Sequence, residues 1–128
     1  MLRTVLLLAF LAAPAMAAPP PARPPAPGET IYREVCQACH MADARGAVGA
    51  GRITGLARNP NLEYPDYAIA IVTGGKGPMP WFRGNLTDQQ IADVIGYVRT
   101  HFGNRYKSRV TAAQVAELGV PAPKGQDR

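Results

Sequence analysis

Both cysteines of this 128-residue chain fall within five consecutive positions, Cys36-Gln37-Ala38-Cys39-His40. No other feature restricts the fold as much. C-x-x-C-H is the attachment pattern of a c-type haem. Two thiols separated by two residues each add to a vinyl group of one porphyrin, and the histidine that follows is held beneath the iron as an axial ligand. A chain carrying this run is expected to close around a large apolar cofactor, one haem c, fixed near residue 36. Other uses of a cysteine pair fit less well. A thioredoxin-type dithiol sits in a strand-helix-strand setting, and no such alternation surrounds residue 36. A structural zinc takes four ligands, whereas beyond the run there is only His101 and no second cysteine pair.

A His-ligated iron has a second axial position, and Gly77-Pro78-Met79-Pro80 offers a thioether for it. Methionine is more often a core filler than a ligand. Met79, however, stands between two prolines on a glycine-rich loop rather than in an apolar helical stripe. Of the other methionines, Met1 and Met16 lie in an N-terminal apolar segment and Met41 adjoins His40 on the proximal side. Cys36 and Cys39 are therefore the expected covalent haem anchors, and His40 and Met79 the expected axial ligands. With both axial positions filled, no site is open for a substrate, which points to an electron carrier rather than an enzyme. The thioether favours ferrous iron and raises the potential. The alternative is a haem peroxidase or gas-sensing protein in which Met79 is displaceable; a thiol-disulfide protein without haem is a third reading. Trp81-Phe82 follow closely, either as a distal shield or as ordinary core aromatics.

The N-terminus reads as an export signal over residues 1–17: Arg3, an apolar run from Val5 to Ala13, and Ala15-Met16-Ala17 as a small-residue cleavage site. The run is well short of the roughly 20 residues a spanning helix needs, so no transmembrane segment is expected after cleavage. Residues 18–27 hold six prolines and form an extended linker. From Gly28 a first helix is expected to deliver the thiols at its C-terminal end. Residues 42–61 read as a loop without a period. Pro65 starts a short buried helix that Gly74-Gly75 end. Thr87 and Gln90 form a capping box before Ile91, Val94, Ile95, Val98 and Phe102, whose spacing is that of an amphipathic helix closed by Gly103. Thr111 and Gln114 repeat the box before a short helix in the extension, residues 104–128. No stretch alternates like a β-strand. The net charge is +5, yet the cations are spread singly and no basic run with interleaved aromatics suggests nucleic acid; an acidic protein partner is the alternative to plain solvation.

Together these features resemble the class I c-type cytochromes over residues 28–103: Gly28 and Tyr32 ahead of the attachment run, Cys36 to His40, the Met79 loop, and a last helix with Gly96-Tyr97. The resemblance implies an all-α cytochrome c fold with three main helices around one covalently bound haem. It implies that the first and last helices cross near Gly28 and Gly96, with Tyr32 and Tyr97 beside the crossing. It also implies assembly outside the bacterial cytoplasm, hence the periplasm, where c-type haem is attached. Many members supply a proline carbonyl to the proximal histidine, but no proline occurs between His40 and Pro60. The acceptor must come from elsewhere, with Ile53-Thr54 a candidate region. A tail after the last helix is similar to that of small cytochrome subunits serving periplasmic dehydrogenases. It is expected either to dock a redox partner, such as a dehydrogenase subunit, or to brace its own domain.

Overall fold

The computed structural model describes residues 26–49 and 51–122. The expected export signal, the linker up to residue 25 and the last six residues of the tail lie outside the described residues. Pro27, read from sequence as the end of the linker, is instead the first residue of helix α1 (Pro27–Ile31); a proline is tolerated there because the first-turn amide has no helical partner to lose. The helix runs on through a π-helical turn (Tyr32–Cys36) into α2 (Gln37–His40). The Gln37 amide donates to the Tyr32 carbonyl, widening the turn that delivers the first thiol. Met41, at φ 67° and ψ 163°, stops the helix directly after His40. Its carbonyl is held by the Tyr32 hydroxyl at 2.8 Å.

The segment expected as a plain loop contains an antiparallel pair, β1 (Ala47–Val48) and β2 (Arg52–Ile53), in which Ala47 faces Ile53 and Val48 faces Arg52. Strands of two residues are too short to leave an alternation in the sequence. A 3₁₀ turn (Pro60–Glu63) leads to α3 (Pro65–Gly74), which ends at Gly75 in the left-handed region (φ 73°). Helix α4 (Asp88–Thr100) carries the Thr87–Gln90 capping box, and α5 (Ala112–Leu118) the Thr111–Gln114 box. Helix α4 ends before the predicted Phe102–Gly103 stop. Phe102 itself turns to φ 56° and packs on Tyr32 (4.8 Å between ring centroids) and edge-on against Tyr97 (5.6 Å). Aromatic packing, not continuation of the helical stripe, places this residue.

The crossing of α1 with α4 is built on Gly28 alone. A β-carbon at Gly28 would fall on the Asp93 carbonyl oxygen and within 2.8 Å of Tyr97 Cβ, whereas one at Gly96 would meet nothing within 4 Å. Gly96 is thus not the close-approach residue the resemblance implied. Tyr32 and Tyr97 do pack beside the crossing, 5.8 Å apart. Gly28→Ala is expected to cost about 1–3 kcal/mol through overpacking. Gly96→Ala, in open space mid-helix, is expected to gain up to about 1 kcal/mol. Thermal unfolding of the two holoproteins checks the opposite signs.

Ile31, Tyr32, Ile69, Ile91, Ile95 and Val98 form the core, joined by Val110 and the fully buried Val115 of the tail. The tail from Val110 to Val115 therefore braces its own domain. Arg99, 1% exposed, ties it in. Its guanidinium donates to the carbonyls of Leu62 (2.7 Å) and Glu63 (3.1 Å) and to both the carbonyl and the hydroxyl of Ser108. No helix among the described residues is long and apolar enough to cross a membrane.

Candidate cofactor site

A cavity of about 490 Å³ opens between the end of α2, helix α3 and helix α4. Cys36, Cys39, His40 and Met79 all line it, although Met79 is some forty residues from the run. The remaining wall is chiefly aliphatic, with Leu62, Val72, Ile95 and Val98 among its residues. Phe82 also lines it; Trp81 does not, and the expected pair of distal aromatics reduces to one. Arg52 and Lys76 bring positive charge to the wall. His101, the only other histidine, is exposed, stacked on Tyr97 at 4.1 Å and hydrogen-bonded through Nδ1 to the Tyr97 carbonyl.

His40 is buried and its Nδ1 lies 2.9 Å from the Thr54 carbonyl oxygen. A carbonyl only accepts, so Nδ1 carries the proton and Nε2 keeps its lone pair for a metal. The acceptor comes from the Ile53-Thr54 region, with no proline involved. Thr54 follows β2 directly, so the pairing of β1 with β2 holds the chain next to this carbonyl. The chain beyond is fastened in turn. Leu56 and Ala57 amides both donate to the Ala44 carbonyl (2.7 and 2.9 Å), and Asn59 Nδ2 donates to the Gly55 carbonyl (2.8 Å). Buried Asn104 donates to the carbonyls of Leu56 and Val98 and accepts from the Asn59 amide. Asn59 and Asn104 were not legible as site residues, since an asparagine beside glycine or proline reads as a turn former.

Burial, with a smaller contribution from neighbouring Cys39, pushes the Cys36 thiol up to about 11. Reactive and metal-binding cysteines are tuned the other way, towards the thiolate. The turn that carries Met79 is closed by its own hydrogen bonds. Lys76 and Met79 exchange backbone hydrogen bonds of 3.0 and 3.1 Å, and the Phe82 amide donates to the Val72 carbonyl at 3.0 Å.

The residues fit a haem. One free imidazole nitrogen and one thioether reach a single apolar cavity, with two unpaired thiols at its edge. The cavity is far larger than a packing defect of a well-filled interior. Among the described residues, no buried side-chain polar atom lacks a partner, so the cavity presents no unmet polar demand to an apolar ring.

Comparison with known proteins gives the same direction. The family model described as cytochrome C oxidase, cbb3-type, subunit III matches residues 23–98. The gluconate 2-dehydrogenase cytochrome c subunit of Pantoea cypripedii is 38% identical over 105 residues, covering 71% of this chain and 23% of that protein. The alcohol dehydrogenase (quinone), cytochrome c subunit, of Gluconacetobacter polyoxogenes is 35% identical over 105 residues, covering 72% and 22%. Cytochrome c6 of Leptolyngbya boryana is 36% identical over 74 residues, covering 57% of this chain and 87% of that protein. The chain thus spans less than a quarter of the dehydrogenase subunits it matches.

Proposed function

Because the chain belongs to the cytochrome c family represented by the cbb3-type subunit III domain, we propose that Cys36 and Cys39 anchor its haem, that His40 and Met79 are the axial iron ligands, and that it accepts electrons from a dehydrogenase in the periplasm. The protein is a monohaem electron carrier with haem c, not itself an enzyme. When bound, the haem supplies a one-electron Fe(III)/Fe(II) couple. The chain's own residues do the rest. The Thr54 carbonyl holds His40 in one tautomer and one orientation. The aliphatic wall keeps water from the ring. A site fixed by the α2 turn on one side and by the Met79 turn on the other changes little between oxidation states, which keeps reorganisation small. The single observation that carries this reading is the meeting of all four residues at one apolar cavity.

A redox protein partner follows from electron transfer. The specific choice of a periplasmic dehydrogenase rests on the named relatives and on the signal-like residues 1–17, with the proline-rich stretch that ends before Pro27 as a linker. Charge adds a docking preference. Arg105, Lys107 and Arg109 are all exposed at alternate positions, Arg58 is exposed as well, and among the described residues none of the four is in an ion pair. Such a strip steers the carrier to an acidic face, and salt screens the steering.

The test is stopped-flow reduction of the ferric holoprotein by a gluconate- or alcohol-oxidising dehydrogenase supplied with its substrate. Fast reduction that slows severalfold between low and high ionic strength is expected. A holoprotein that stays ferric but turns over peroxide would instead favour the displaceable-Met79 reading. Haem staining of the denatured chain separates both from a haem-free thiol protein.

A further inference from the structure

Two tail residues beyond α5 reach both ends of the loop that carries Met79. At its start, Val120 lies against Gly74, the last residue of α3, where an added β-carbon would come within 2.9 Å of Val120 Cγ2. The Val120 amide donates to Thr73 Oγ1 at 2.9 Å, and wholly buried Thr73 donates in turn to the Ile69 carbonyl at 2.7 Å. Near the end of the loop, the Arg83 guanidinium lies against Gly119, where an added β-carbon would also fall on the Val115 carbonyl oxygen. Arg83 also donates to the Val120 carbonyl (3.4 Å) and to Asp88 (3.1 Å), the first residue of α4.

These contacts differ in kind from those that brace the tail. Val110 and Val115 are buried in the core, whereas Val120 is 42% exposed and adds little apolar burial. What it touches is the loop. The turn from Lys76 to Met79 is closed by its own hydrogen bonds, so its position depends on where the loop is fastened: at its joins to α3 and α4 and at the Phe82–Val72 hydrogen bond. We propose that Gly119-Val120 form a clasp that sets how firmly Met79 stays on the iron, with Thr73 and Arg83 as its positioning residues. This inference rests on the reading of Met79 as an axial ligand.

The experiment uses four holoproteins: the chain ending at Leu118, Thr73→Val, Val110→Ala and Met79→Ala, each against the full chain. Imidazole is titrated onto the ferric iron and followed in the visible spectrum, and thermal midpoints are measured alongside. Removing the clasp, or its Thr73 acceptor alone, is expected to tighten imidazole binding on the order of tenfold. That factor corresponds to about 1.4 kcal/mol, close to the net worth of one or two hydrogen bonds. Val110→Ala, a core lesion away from the loop, is expected to lower the midpoint and leave imidazole binding unchanged. If imidazole affinity simply tracks the midpoint across these variants, the tail is a brace and the clasp is wrong. Should the truncated chain not fold, Thr73→Val alone decides: unchanged binding there also overturns the clasp. Met79→Ala separates the two claims, because a variant binding imidazole no better than the full chain removes Met79 from the iron itself.

Discussion

Cys36→Ser combined with Cys39→Ser is expected to give a chain that neither holds haem nor folds cooperatively. The helices that face the cavity are short: α3 has 10 residues and α4 has 13. Isolated helices below about 12–15 residues are marginal in water, so these must draw their stability from tertiary packing. Their shared partner is the ring. Left unfilled, the cavity of about 490 Å³ carries a penalty, at roughly 24 cal/mol per Å³, of at most about 12 kcal/mol. That is as large as the entire stability of an ordinary domain. Far-ultraviolet circular dichroism and limited proteolysis of the double variant check this. Native helicity with a sharp melting transition in the absence of haem would contradict it.

Met79→Ala is expected to keep the haem attached, since it leaves both thiols in place, while opening the sixth position. The reduced variant should bind carbon monoxide readily, and the ferric methionine-to-iron charge-transfer band should vanish. Its potential should fall by on the order of 0.1–0.3 V, within the roughly 0.8 V span that axial ligands command. The sign follows from the thioether's preference for ferrous iron. An unchanged ferric spectrum would leave the ligand to be sought elsewhere, with His101 the first to test despite its exposed stacking on Tyr97.

Much of this was readable in advance where the signal is local. The attachment run names its own chemistry, the two capping boxes place the starts of α4 and α5, and Pro65 with Gly74 brackets α3. The missing proline after His40 pointed to the Ile53-Thr54 carbonyl, because a buried proximal imidazole needs an acceptor from somewhere. What was illegible depends on contacts distant in sequence. The β1–β2 pair is too short to alternate, and the π turn leaves no trace in residue type. Gly96 resembled a crossing residue but faces open space, while Gly28 does that work alone. Phe102 continued the helical spacing, yet its place is fixed by Tyr32 and Tyr97. Nothing local marks Arg99 as buried, because its acceptors on Leu62, Glu63 and Ser108 lie outside its own helix.

That buried arginine has an environmental consequence. A junction of this kind made with histidine or a carboxylate would loosen whenever the surroundings turned acid, and one made with lysine would weaken in alkali. A guanidinium stays protonated throughout the range in which cells and their media vary, and the backbone carbonyls it holds do not titrate at all. Burial lowers the Arg99 pKa from its ordinary, very high value, and the contacts that join this residue of α4 to Ser108 of the tail depend on no carboxylate or imidazole. The tail's attachment through Ser108 is accordingly insensitive to acidity.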